Sequence, residues 1–243
     1  MSETTLGEGR KSANNILFNT KSEFGKIIAF CDSNQAHARG IIQEEFFHDH
    51  KIVSGEFYKT YIKTIRKNGK EDIIPVMVPD TLLKDVQSPL KGKMVEVYGE
   101  FRSYDQKDNE RSHLILFLFA TSFKVCSSDN LEHINNVCLN GYICQEPYFK
   151  RVSRKNVAMA SFTIKVHRSY DRKAYIPCVA WEKNAEHIAR LNPGERVIIQ
   201  GIMHSRTYLK KASLAPEEWE YKTAYEVAAK KIKRVSDLVG SKK

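Results

Sequence analysis

The feature that most limits how this chain can fold is that it reads twice. Ala38-Arg-Gly-Ile-Ile-Gln-Glu-Glu returns as Leu139-Asn-Gly-Tyr-Ile-Cys-Gln-Glu, which sets Gly40 and Gly141 101 positions apart. Glu71-Asp-Ile-Ile-Pro-Val-Met-Val returns as Lys173-Ala-Tyr-Ile-Pro-Cys-Val-Ala, and Gly92-Lys-Met-Val-Glu-Val-Tyr-Gly as Gly194-Glu-Arg-Val-Ile-Ile-Gln-Gly. Pro75 and Pro177, and Gly99 and Gly201, are thus each 102 apart. Three anchors at nearly one offset make coincidence a poor explanation, and the period is that of a domain rather than a solenoid repeat. The 243 residues are two copies of one unit of roughly 100 residues, a size at which a single core closes.

Each copy carries strand signals. In Ser161-Phe-Thr-Ile-Lys-Val-His-Arg the apolar Phe162, Ile164 and Val166 alternate with Thr163, Lys165 and His167, the period of two that buries one face of a strand and wets the other. Tyr175-Ile-Pro-Cys-Val-Ala-Trp, Arg196-Val-Ile-Ile-Gln-Gly-Ile-Met and Ala224-Tyr-Glu-Val-Ala-Ala-Lys-Lys-Ile-Lys-Arg-Val are further β-rich runs. The first copy has its own at 57–65, 73–78, 94–101 and 114–119. One stretch per copy has helical spacing: Thr81-Leu-Leu-Lys-Asp-Val and Asn184-Ala-Glu-His-Ile-Ala-Arg-Leu. In the latter, Ala185, Ile188 and Ala189 would share a face, and Pro193-Gly194 would stop the helix.

Five strands with one short helix between the third and fourth is the order of the OB-fold, a five-stranded Greek-key barrel. The expected architecture is all-β, two tandem OB-fold domains; a β-sandwich would need more strands and no helix at that place. The expected division is an N-terminal extension without regular pattern over 1–35, a diverged OB-fold domain over 36–125 and a polar linker over 126–133. A second OB-fold domain follows over 134–236, and a short basic tail over 237–243.

Composition narrows the setting. With 42% apolar and 28% charged residues and only 12 Gly and 7 Pro, the chain can bury real cores and is neither collagen-like nor disordered. Its longest uninterrupted apolar run, Leu114 to Ala120, is far too short for a membrane helix, and Met-Ser-Glu-Thr-Thr lacks the basic-then-apolar layout of a signal sequence. A cytoplasmic protein without a membrane partner is expected. Cys31, Cys126, Cys138, Cys144 and Cys178 are odd in number and hold no C-x-x-C pair, so they read as reduced, buried fillers. The net charge of +10 is unevenly placed. Residues 1–130 hold 18 basic and 18 acidic side chains, whereas 131–243 hold 21 and 11, so the second half carries the whole excess. Such asymmetry marks an electrostatic partner for one half, nucleic acid or an anionic surface.

Catalytic signatures are missing. No G-x-x-x-x-G-K-[ST], G-x-S-x-G or H-E-x-x-H occurs, so no enzyme, catalytic residue or cofactor is expected. His48-Asp49-His50 lacks a nearby third ligand and reads as a polar loop rather than a metal site. The adjacent pairs Glu44-Glu45 and Glu217-Glu218 would point to opposite faces of a strand and read as surface charge.

Asn136-Val-Cys-Leu-Asn-Gly-Tyr-Ile-Cys-Gln-Glu-Pro, Val157-Ala-Met-Ala-Ser-Phe-Thr-Ile-Lys-Val, Tyr175-Ile-Pro-Cys-Val-Ala-Trp-Glu-Lys-Asn-Ala-Glu, Pro193-Gly-Glu-Arg-Val-Ile-Ile-Gln-Gly and Ser205-Arg-Thr-Tyr occur in that order. Together, over about residues 134–235, they resemble the bacterial single-stranded DNA-binding (SSB) proteins. The first copy, over 36–125, resembles the same family more weakly, through its Gly, Ile-Pro and Gly-x-x-x-Ser anchors.

The residue chemistry points the same way. Holding a single strand regardless of its sequence takes aromatic faces for bases and Lys and Arg for phosphates, each stacked base being worth roughly 1–3 kcal/mol. Tyr170, Tyr175, Trp181 and Tyr208 come from different strands or their ends and stand beside Lys165, Arg168, Lys173, Lys183 and Arg206. The resemblance implies a base-stacking role at each of these four aromatic positions. Trp181 ends an apolar strand and has a core reading as well, against which Glu182 and Lys183 argue for a wet edge. Arg151 and Arg154 lie in a basic run expected to be the loop between the first two strands, a place OB-folds use for oligonucleotides. In the first copy the offset of 102 puts Asn68, Ile73, Pro79 and Gln106 at the four aromatic positions. With zero net charge over 1–130, this predicts a poor platform, with Tyr61, Lys63, Arg66, Arg102 and Tyr104 left for a secondary contact.

The expectation is a non-enzymatic protein that binds and protects single-stranded DNA without sequence preference during replication, recombination or repair, mainly through its second unit. Replication or recombination proteins are further expected partners. Members of the family commonly present four OB units, so two per chain imply a homodimer. Many also end in an acidic tail that recruits repair enzymes, which Lys233 to Lys243 does not resemble. A rival reading of the same residues is a primosomal, replication-restart or recombination adaptor that chiefly docks proteins. Stacking platforms also do not by themselves separate DNA from RNA.

Overall fold

The structure, a computed structural model, describes residues 34–108, 111–128, 130–152, 154–167, 172–211 and 219–239. These form twelve strands. The first copy supplies β1 (Asn34–Ile42), β2 (Phe47–Ile52), β3 (Gly55–Ile65), β4 (Glu71–Pro79), β5 (Met94–Asp108) and β6 (Arg111–Val125). The second supplies β7 (Ile134–Ile143), β8 (Tyr148–Val152), β9 (Val157–His167), β10 (Lys173–Trp181), β11 (Arg196–Lys211) and β12 (Trp219–Arg234). Helix α1 (Lys183–Ile188) lies between β10 and β11, and α2 (Val235–Val239) follows β12. The N-terminal extension up to residue 33 lies outside the described residues.

Strand order runs β2-β3-β4-β6-β5-β1 in the first copy and β7-β11-β12-β10-β9-β8 in the second, and the extra pairings β1–β3 and β7–β9 close each sheet on itself. The chain is therefore two tandem OB-fold barrels. Alternation in the sequence decides which side faces in. Along β9, Ala158, Ala160, Phe162, Ile164 and Val166 are buried, and the inward residues of β10 opposite them are Ala174, Ile176, Cys178 and Ala180.

The glycines that anchor the repeat sit where neighbouring backbones leave no room for a side chain. A Cβ at Gly99 would lie 1.8 Å from the Phe119 carbonyl oxygen, and one at Gly201 2.3 Å from that of Ala228. Each stands beside a register shift in the β5–β6 or β11–β12 ladder, the bulge geometry that bends a strand around a barrel corner.

Local structure departs from the expected elements at several points. The helix over Thr81 to Val86 is only a 3-10 turn, Asp80–Leu82, extended by the Val86 N–H bonding three residues back to Leu83. Pro79 and Pro89 bracket the segment, and so short a stretch takes its shape from Leu82, Leu83 and Val86 packing on the core rather than from helix propagation. In the second copy α1 stops before Ala189, because Arg190 and Leu191 bond three residues back, to His187 and Ile188. That tightening leaves Ala189 exposed and turns Leu191 into the core. Gly194, at φ +87°, closes the following turn by bonding to the Ile143 carbonyl. The basic run expected to be a loop contains β8, which pairs with β9 through a hairpin turn that holds Asn156 at φ 54°. β2 is its counterpart in the first copy, so each barrel has a sixth, short strand. Cys138 and Cys178 are buried, but Cys126 is half-buried and Cys144 exposed, each lying just past the end of its strand; all four are thiols outside any disulfide. Cys31 lies outside the described residues.

β1 and β7 pair antiparallel, with Ala36 opposite Val137. These are equivalent positions of the two copies, so an approximate two-fold axis passes between them. Hydrogen bonds repeat about it: the Ile73 N–H donates to Ser205 Oγ (2.9 Å) and the Tyr175 N–H to Ser103 Oγ (3.0 Å). The side-chain amide of Asn34 clamps the Phe101 backbone as that of Asn135 clamps Met203. Asp72 breaks the symmetry, since Ala174 occupies its place in the second copy. Fully buried, it accepts two bonds from the Arg66 guanidinium (2.5 Å each) and one from the Ser205 N–H (3.1 Å). Replacing Asp72 by Ala leaves Arg66 and the Ser205 N–H without this acceptor, and is expected to lower stability by about 2–4 kcal/mol. Chemical denaturation reads the loss as a lower midpoint; a midpoint equal to the parent's would show that this contact does not hold the barrels together.

Candidate nucleic-acid interface

Ladder register sets the outer surface of the second barrel, because residues opposite one another across a pair of strands share a face. Tyr175 of β10 stands opposite Lys165 of β9, which stands opposite Tyr142 of β7, which stands opposite Arg196 of β11. Two rings and two cations thus alternate in a row across four strands. Lys165 Nζ is 5.8 Å and Arg196 Cζ 5.7 Å from the centroid of the Tyr142 ring. A second row, about 20 Å further along β10, joins Trp181, Met159 and Lys150. Tyr148 lies on the same face of β8, its ring 5.6 Å from Lys150 Nζ.

Alternation explains why these rings point outward. Ala174, Ile176, Cys178 and Ala180 fill the barrel, so Tyr175 and Trp181 are left outside, 47% and 45% exposed; Trp181 is not a core residue. Beyond the barrel β11 and β12 continue as a two-stranded arm. Val179 of β10 stands beside Ala228 of β12, and the outer face continues from Ala228 through Lys222 to Arg206 and Tyr208. Arg206 Cζ is 5.3 Å from the Tyr208 ring, and its Nε is 3.5 Å from Glu226, which His204 also approaches.

Lys173 is exposed at the start of β10, on this face, and Lys183 is exposed as the first residue of α1. Arg154 is exposed in the β8–β9 turn. Arg151 does not join the rings: one residue out of phase with Lys150, it bonds the Asn156 carbonyl and pairs with Glu186 of α1 (3.1 Å). Arg168 and Tyr170 lie outside the described residues. Tyr142, Arg196, Tyr148 and Lys150 were not among the expected residues, although the period of two around buried Gly141 and Ile143 already turns Tyr142 outward. The opposite face of the arm also carries rings: Trp219 and Tyr221 are 60% and 75% exposed, and Lys211 Nζ lies 5.5 Å from the Trp219 ring.

In the first barrel the proposed secondary contacts divide. Arg66 is held by Asp72, and Lys63 pairs with Glu71 (3.1 Å). Tyr61 stacks on Phe47 with centroids 6.4 Å apart, and Lys59 Nζ sits 5.5 Å from its ring. Arg102 bonds Glu100 (2.9 Å) and sits 3.6 Å above the Phe119 ring, where burial pulls its pKa down. Tyr104 meets Phe117 edge-on at 5.7 Å, and burial raises its phenol pKa. The four positions matching the second barrel's rings are non-aromatic, as the offset indicates, yet the same face carries rings from neighbouring strands.

Among the described residues no cluster of His, Cys, Asp and Glu could hold a metal ion. What the second barrel offers is an open face of planar rings with cations between them, chemistry suited to stacking bases and neutralising phosphates. Paired OB barrels with such a face belong to the class of oligonucleotide-binding folds.

Comparison with known proteins makes the class specific. Residues 134–235 match the model of the Single-strand binding protein family, and the second barrel is a domain of that family. Single-stranded DNA-binding protein 3 of Clostridium acetobutylicum is 31% identical over 81 residues, covering 31% of this chain and 56% of that protein. Single-stranded DNA-binding protein 2 of Listeria monocytogenes is 34% identical over 82 residues, covering 31% of this chain and 51% of that protein. The chain thus spans about half the length of the curated relatives it matches. The crystal structure of the wild-type single-stranded DNA binding protein from Thermus aquaticus superposes with a TM-score of 0.63, covering 83% of this chain and 92% of that one at 15% identity, a likeness of fold.

Trp181 and Trp219 are the chain's two tryptophans. Both being exposed among lysines, their emission is expected to be red-shifted in the free protein and quenched more by iodide than by caesium, since local cations concentrate the anion. Blue-shifted emission indifferent to iodide would place the rings inside.

Proposed function

We propose that this chain is a cytoplasmic protein that binds single-stranded DNA without sequence preference and protects it during replication, recombination or repair. The observation that carries this reading is the row Tyr175, Lys165, Tyr142, Arg196, continued by Trp181 on the same face. Bases stack on Tyr175, Trp181 and Tyr208, while Lys165, Lys173, Arg196 and Arg206 meet the phosphates. Every base has a flat face, so stacking of this kind tolerates any sequence. The names of the relatives, both single-stranded DNA-binding proteins, support the choice of ligand. Two barrels per chain further lead us to propose a homodimer presenting four.

Oligo-dT binding tests the proposal. Affinity should fall steeply with salt, with a log–log slope of about −0.7 for each phosphate neutralised. Trp181→Ala and Tyr175→Ala should each weaken binding by about 1–3 kcal/mol while leaving that slope unchanged, whereas Lys165→Ala should make it shallower by about 0.7. Binding that ignores salt and both ring substitutions would overturn the reading, and tighter binding of a matched RNA strand would change the ligand.

A further inference from the structure

A cleft of about 620 Å³ opens on the first barrel. Phe57 of β3, Arg102 and Tyr104 of β5, and Phe117 and Phe119 of β6 line it, and Arg172, just ahead of β10 in the second barrel, closes one side. The rings brace one another: Phe57 and Phe119 are 5.8 Å apart, tilted by 42°, and Arg102 caps Phe119. Tyr104 stands beside them, 40% exposed. In the second barrel the counterparts of Phe57, Tyr104 and Phe119 are Met159, Arg206 and Ala228. The first copy has no rings at Ile73 and Pro79 of β4, but it carries them on the flanking strands of the same outer face.

We infer that this cleft is a second base-binding site, where a nucleobase of a single strand stacks against Tyr104 and the Phe119–Arg102 pair while Arg172 meets the adjoining phosphate. The inference rests on the proposed single-strand binding and extends it to the neutral half of the chain. Continuity with the first site argues for this occupant. The bond from the Tyr175 N–H to Ser103 Oγ draws β10 against β5, and Arg172 precedes Tyr175 by three positions, about 10 Å of extended chain. A strand lying over Trp181 and Tyr175 is thereby led to the cleft. Asp49 and His50, bonded to each other (2.6 Å), also line the cleft on the side of β2, and Glu100 is bonded to Arg102 (2.9 Å). Flat rings bounded by guanidinium groups suit a planar base joined to an anion better than they suit an aliphatic side chain.

The test uses the full chain and two oligo-dT lengths, one of roughly 8 nucleotides that a single barrel accommodates and one of roughly 30 that exceeds it. Tyr104→Ala and Arg172→Ala should each weaken the long oligomer several-fold, with Tyr104→Ala reaching roughly 5- to 150-fold, one stack's worth. The short oligomer should be unaffected, whereas Trp181→Ala should weaken both. Melting midpoints equal to the parent's show that the losses are local. Independently, a long oligomer carrying iododeoxyuridine should photocrosslink to a peptide containing Tyr104 or Phe119 in the parent protein. If the long oligomer binds both cleft variants with parental affinity and crosslinks only to the second barrel, the cleft assignment falls and the proposed function stands. If the parent binds neither oligomer, both fall.

Discussion

The antiparallel pairing of β1 with β7 is the constraint on which the rest of the arrangement depends. Each strand is already bonded on its other side, β1 to β5 and β7 to β11, so without this ladder each barrel would present an unpaired edge. Pairing the two edges satisfies those groups and fixes the relation of the barrels in one step. Side chains near the axis are small, and Ala36, Ala38 and Val137 are all buried. Polar neighbours are matched: Glu96 accepts from His37 (2.8 Å) and Arg39 (2.7 Å), and His37 stacks on Tyr98 at 4.0 Å. Burial nonetheless dominates at His37 and lowers its pKa, against the pull of Glu96.

With the axis fixed, each long hairpin is carried across to the other barrel. β11 of the second reaches β4 of the first, and β5 of the first reaches β10 of the second, each crossing made through a serine hydroxyl. One crossing is reinforced by Asp72, and there Tyr225 is buried enough for its phenol pKa to be pushed up to about 12. The other is plainer, but it brings Arg172 to the first barrel's cleft. The same symmetry that makes the molecule compact sets the ring-bearing strand of one barrel beside the ring-lined cleft of its neighbour.

Much of this was legible in the residues. The repeated glycines marked the corners where Gly99 and Gly201 leave space for a neighbouring carbonyl, and the alternation of β9 and β10 fixed which side of each strand is wet. The direction of Trp181 followed from its phase with Ile176 and Cys178, not from its type. What escaped were properties that belong to pairs of strands. Lys63 and Arg66 look like free cations until the β3–β4 ladder sets Glu71 and Asp72 beside them. Arg151 looks equivalent to Lys150 until the period of two sends them to opposite sides. The four positions at the offset of 102 carry no ring in the first barrel, yet its outer face pools Phe57, Tyr104 and Phe119 from β3, β5 and β6, a grouping that strand pairing alone reveals.

The uneven charge takes on a physical sense in that light. Phosphate contacts draw their free energy from released counterions and weaken as salt rises, while base stacking is far less sensitive. On the proposed reading the basic second barrel captures an unpaired strand from a distance, since its excess positive charge acts over the Debye length, about 8–10 Å in physiological salt. The neutral first barrel acts only on contact. Three of its cations, Arg66, Lys63 and Arg102, are already committed to Asp72, Glu71 and Glu100, so on that reading what it chiefly adds is stacking area beside an already captured strand. A second strongly basic barrel would raise affinity for every polyanion alike, duplex included, whereas rings reward only bases that are unpaired. On that reading, placing the charge in one half and rings in both would favour single strands over the other polyanions of a cell.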